Sequence, residues 1–125
     1  MTVGQIRNEI MFQTNNDVDD LGDFMPYLMD YINEGYDRLM YAFAGCHVGQ
    51  DDCAPLQADA DVPILPEWTH RALVDWATWL VYRNGNPQKQ NRGFQFRTAF
   101  DEILGKLIAE GGRNGKVKNF FNIPY

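Results

Sequence analysis

Cys46, His47 and Cys53, with Asp51 and Asp52 between them, are the residues of this 125-residue chain whose types could hold a metal ion. Structural zinc sites use closely spaced ligand pairs with a second pair elsewhere. Here the cysteines are seven positions apart and no second pair follows, so the spacing argues for a reduced, unliganded loop in a reducing cytoplasm. "DVDDLGD" at 17–23 opens like a calcium loop, with acids at 17 and 19 and Gly22 in place. Leu21 then takes a ligand position and Leu28 stands where the closing glutamate belongs, so the pattern breaks. The chain contains no serine, and His47 beside Cys46 in a loop is a poor setting for a preorganised nucleophile. His70, at the edge of an aliphatic helix face, reads as a half-buried or interface residue. No phosphate-cradling G-x-x-x-x-G-K loop occurs. The residues therefore predict no enzyme, no cofactor and no metal.

Nucleic-acid binding has one candidate segment, "RNGNPQKQNRGFQFR" (83–97), which mixes Arg83, Lys89, Arg92 and Arg97 with Phe94 and Phe96. A pI near 4.7 opposes a free-standing DNA binder, and a solvated helix start with two core phenylalanines is the expected reading. No apolar run approaches the ~20 residues of a membrane span, and the polar start "MTVGQIRNE" is no secretory signal.

Four helices must position these residues. Thr2 and Gln5 form a capping-box pattern before Val3, Ile6 and Ile10, which share one face. A second helix over 25–44 places Leu28, Ile32, Tyr36, Leu39, Met40 and Phe43 on one stripe. Asp30, Asn33, Glu34 and Asp37 lie opposite, and Gly45 suits the C-terminal cap. The third, "LPEWTHRALVDWATWLVYRNG" (65–85), has Pro66 at its start and carries all three tryptophans. Trp68, Ala72, Trp76 and Trp79 make one stripe, and Leu73, Val74, Ala77, Leu80 and Val81 extend the apolar surface around it. Only the sector of Arg71, Asp75, Thr78 and Tyr82 is polar. A helix so widely apolar must be covered from several sides, which makes it the central one.

The fourth helix runs from Pro87 to Glu110 with Phe96, Phe100, Ile103, Leu104, Leu107 and Ile108 along one side. No segment alternates with period two. The expected fold is all-α: a four-helix bundle-like single domain over 1–112 with a long loop at 46–62 between helices two and three, and an extended tail over 113–125. That loop is longer than compact domains usually carry, which points to function or mobility. The tail, "RNGKVKNFFNIPY", opens basic and closes aromatic.

The net charge of −6 is uneven. Residues 1–75 hold 14 acidic residues against Arg7, Arg38 and Arg71, whereas residues 76–125 hold eight basic residues against Asp101, Glu102 and Glu110. Opposite charges on two surfaces suit head-to-tail contact between copies.

The order of parts resembles a known family. The segments "TVGQIRNEI", "YLMDYINEGYDRLMYAF" and "LPEWTHRALVDWATWLVYRNGNPQ", leading to "FQFRTAFDEIL", are similar to the head–tail connector (adaptor) proteins of tailed bacteriophages and prophages, over about 2–110. The resemblance implies a ring, usually of about twelve subunits, beneath the portal protein of the virion neck. Such a ring is made in the host cytoplasm, extends the DNA channel and carries the next connector, stopper or tail protein. Tryptophan content and the cysteines of the 46–62 loop depart from many relatives. On this reading Trp68, Trp76 and Trp79 meet a neighbouring subunit, and Lys116, Lys118, Phe120, Phe121, Ile123 and Tyr125 dock on the portal. The alternatives are a tail folded back on its own bundle, and a small helical regulatory protein binding a partner through its aromatic helix.

Overall fold

Thr2 starts the first helix as its side chain predicts. Its hydroxyl accepts from Gln5 N at 3.2 Å while the Gln5 amide oxygen accepts from Thr2 N at 2.8 Å, so two otherwise orphaned donors are satisfied reciprocally. The computed structural model describes residues 1–14, 24–50 and 52–110. Within them α1 spans Val3–Gln13, α2 Leu28–Ala44, α3 Arg71–Arg83 and α4 Pro87–Ala109, and no strand is present; Val48 and Cys53 form an isolated bridge. The all-α four-helix expectation is met. The tail and the acidic 17–23 turn lie outside the described residues.

Two helix starts differ from the sequence reading. Met25–Tyr27 and Glu67–Thr69 are single 3-10 turns that lead into α2 and α3. Each contains or follows a proline, whose fixed φ and missing N–H suit a tight entry turn. Gly45 caps α2 in the left-handed region at φ 71°, as expected. Asn86 caps α4 by accepting from Lys89 N at 3.0 Å, with Pro87 at the first helical position.

Helix α3 is central, packed against α4, α2 and α1. Every residue from Ala72 to Tyr82 is buried. The polar sector of Asp75, Thr78 and Tyr82 is therefore covered too, because α1 lies along it. The Arg71 guanidinium meets Glu9 at 2.8 Å and the Tyr82 hydroxyl donates to the Gln13 carbonyl at 3.2 Å, which brackets Asp75 and Thr78. Among the described residues Thr78 Oγ1 has no hydrogen-bond partner. Burial pushes the Asp75 carboxyl up to about 6, with the charge of Arg71 pulling the other way.

The α3–α4 contact is close because Gly93 has no side chain. A Cβ there would stand 2.8 Å from Tyr82 Cβ and 3.1 Å from the Trp79 ring. Gly93→Ala gains about 1 kcal/mol of helix propensity but overpacks a backbone-proximal contact at a cost of roughly 1–3 kcal/mol. A net loss of stability is expected on chemical denaturation. Gly105→Ala, whose Cβ would meet open space, should be neutral or stabilising in the same measurement.

Candidate interaction surfaces

The Cys46–His47–Cys53 cluster is built on the polar side of α2. Asn33 clamps the loop both ways: Leu56 N donates to its Oδ1 and its Nδ2 donates to the Leu56 carbonyl, each at 2.8 Å. One turn on, Asp37 Oδ1 accepts from Val48 N at 2.8 Å and lies 3.1 Å from His47 Nδ1, while the His47 ring stacks on Tyr41 at 4.4 Å. Farther along, Asp61 accepts from Gln57 N and Ala58 N, which holds its carboxyl below the usual aspartate range. Val3 N and Gly4 N then donate to the Asp61 and Asp59 carbonyls, satisfying donors at the start of α1. The described part of the long loop is thus fastened to two helices, and residues read as a solvated face of α2 do the fastening.

Cys46 and Cys53 are joined as a disulfide, correcting the expectation of a reduced loop. The turn through His47–Gln50, with Gly49 at φ 88°, brings their Cα atoms to 6.4 Å. With both sulfurs so joined, neither is a thiolate ligand for zinc. Closing so short a loop restrains the unfolded chain by about 2 kcal/mol. Reduction, or Cys53→Ser, should lower the unfolding free energy by about that amount in denaturant titrations run with and without reductant. An unchanged midpoint would show that the Asn33 and Asp37 clamps suffice alone.

His70 is fully buried rather than half-exposed, with both ring nitrogens engaged. Nε2 lies 2.9 Å from the Leu65 carbonyl, and Nδ1 lies 2.9 Å from the Met1 amino group, which also donates to Glu67 at 2.7 Å. Its role is to hold chain segments together.

The three tryptophans have three different settings. Trp76, 2% exposed, lies against Gly35 of α2 and Phe100 of α4, with the guanidiniums of Arg38 and Arg97 at 4.4 and 4.9 Å from its ring. Trp79, 8% exposed, packs on Gly93 and stacks with Phe94 at 5.2 Å. Neither stands free for a neighbouring subunit, since α4 and α2 already cover them. Trp68 sits in the 3-10 turn before α3 and is 40% exposed. Phe94, expected in the core, is 53% exposed because it covers Trp79 from outside.

Large apolar side chains are exposed in the segments that flank α3. Val62, Ile64 and Trp68 precede its N-terminus, and Trp68 shares a shallow hollow with Lys106, Ala109 and Glu110 at the end of α4. At its other end Gln13 is bonded to Tyr82, Tyr31 feels the charge of Arg83, and Phe94 lies on Trp79. These links place exposed Met11, Phe12, Tyr27 and Phe94 around the C-terminus of α3. A third feature is a groove of about 400 Å3 between α2 and α4. Its sides include Tyr41, Ala42, Leu104 and Ile108, and its rim carries Glu34, Asp37, Arg38 and His47.

Among the described residues no group of three His, Cys, Asp or Glu side chains is placed to hold a metal ion, and no helix is long and apolar enough to cross a membrane. No protein-family model, curated protein or solved structure matches the chain.

Proposed function

We propose that this chain is a structural head–tail connector of a tailed phage, a ring subunit that binds the portal above and a stopper or tail protein below. The observation that carries this reading is the exposure of large apolar side chains towards both ends of α3. Val62, Ile64 and Trp68 are exposed in the segment before it, and Met11, Phe12, Tyr27 and Phe94 are exposed on residues linked to its C-terminus. Two unlike surfaces on one subunit suit heterologous contacts, which close into a ring when the rotation permits. The resemblance of "LPEWTHRALVDWATWLVYR" to the adaptor family supplies the identity of the assembly, and the acidic balance of the chain suits a channel along which DNA slides without sticking. A disulfide persists in oxidising surroundings, which suits a particle that leaves the host cell. The rival reading, a regulator that binds through its aromatic helix, is disfavoured because α3 spends Trp76 and Trp79 inside the domain.

In this reading Trp68 belongs to the subunit interface, and the tail residues Lys116, Lys118, Phe120, Phe121, Ile123 and Tyr125 belong to the portal contact. Trp68→Ala should weaken association of purified subunits at least about tenfold by sedimentation, because a half-exposed indole buried at an interface centre is worth 2 kcal/mol or more. Its monomer should melt within a few degrees of the parent. Electron micrographs of the parent with its portal protein should show a ring below the portal. A chain that stays monomeric with and without portal would defeat the proposal.

A further inference from the structure

We propose that the groove between α2 and α4 is the seat of this chain's own C-terminal segment, with Phe120 and Phe121 on its apolar sides and Lys116 and Lys118 beside the Glu34 and Asp37 carboxylates of its rim. Three observations converge on that occupant. The first is position. Ile108 lines the groove, and α4 ends one residue later at Ala109, so the C-terminal segment is attached within one turn of the groove. The second is reach. Phe120 lies ten positions beyond Glu110, which at ~3.3 Å per residue allows up to about 33 Å of extended chain. The groove residues from Ile108 back to Leu104 span only about 6 Å of helix. The seat needs a reversal of the path after α4, and the sequence supplies Gly111-Gly112, a residue type that adopts the backbone conformations a reversal needs.

The third is chemical fit. Leu104 and Ile108 are half-buried and line the groove with Ala42, while Tyr41 beside them carries the His47 ring on its face. Glu34 and Asp37 border the groove on α2. Arg38 sits 3.8 Å from Glu34 and lies over Trp76, so its charge is directed at the indole as well as at the rim. A segment that pairs two lysines with two phenylalanines matches apolar sides bordered by two carboxylates, which its lysines reach in competition with Arg38 and His47. Tethering makes the contact intramolecular, with an effective concentration in the millimolar range for a short linker, so modest complementarity is enough.

The seat concerns the free subunit and stands whether or not the connector reading holds. If that reading holds, the tail must leave the groove before it docks on a portal, so the groove regulates portal engagement.

Zero-length carbodiimide cross-linking of the full chain tests the seat. An equal mixture of nitrogen-14 and nitrogen-15 protein should give cross-links from Lys116 or Lys118 to Glu34 or Asp37, each within one isotope. The double variant Phe120→Ala, Phe121→Ala keeps both lysines and should lose those cross-links about tenfold or more. Absence of the links, or equal yield from the double variant, overturns the proposal. Links that mix isotopes assign the groove to a second copy and overturn it equally. Co-sedimentation with portal is scored separately, so loss of portal binding with the cross-links intact counts against the connector reading and not against the seat.

Discussion

Trp76→Ala is expected to remove about 4 kcal/mol of unfolding free energy, the largest single loss in the domain. Trp76 is 2% exposed and is held between α2 and α4. Its ring meets Phe100 at a centroid distance of 4.8 Å, its Cβ–Cγ–Cδ1 edge fills the space above Gly35, and two guanidiniums cover its ring. Truncation leaves a cavity bounded by helix backbone, which cannot collapse, and it strips two cation–π partners. For a domain of this size the melting temperature should fall by roughly 15–25 °C. Filling Gly35 with a Cβ does not compensate in the parent background, because that atom would stand 3.0–3.1 Å from the indole. In the Trp76→Ala background the same Gly35→Ala change should be tolerated. A double-mutant cycle in denaturant therefore checks both statements, and additivity of the two changes would contradict the packing argument.

Asp75→Asn is expected to stabilise the protein at neutral pH by as much as about 3 kcal/mol. Asp75 is 5% exposed, and burial raises its carboxyl from 3.8 to about 6. Between those values the folded chain keeps a proton that the unfolded chain has released, so stability falls as pH rises through that window. Above about 6 the whole penalty of a buried carboxylate is present, offset in part by Arg71. Asparagine carries no charge at any pH, so the gain should be full at pH 7.5 and absent at pH 3.5, below both values. Melting curves across pH 3.5–7.5 measure it. A pH-independent difference between the two proteins would place the carboxylate in water. The opposite effect at neutral pH would mean that its charge is matched by a partner stronger than Arg71.

The sequence by itself determined the helices and their inward faces. Thr2 with Gln5, Gly45, Pro87 and the stripe of Val3, Ile6 and Ile10 act within a turn or two of chain, where the 3.6-residue period and local capping chemistry decide the outcome. The width of the apolar arc on 71–83 was also enough to place that helix at the centre, since so much apolar surface has to be covered from several sides. Tertiary structure decided the rest. Asp75, Thr78 and Tyr82 form the polar sector of their helix, and they are buried because α1, more than 60 residues away in sequence, lies over them. The three tryptophans fall on one helical stripe, yet Gly35 and Gly93 on other helices decide which indole goes inward and against what. Asn33 and Asp37 look like surface residues of an amphipathic helix until the loop's own backbone amides, unsatisfied without them, return to that face. Cys46 and Cys53 pair because a turn between them brings their Cα atoms within bonding range, and sequence spacing does not encode that distance. Local periodicity says which side of an element is apolar; only the packed neighbours say which polar groups are taken out of water with it.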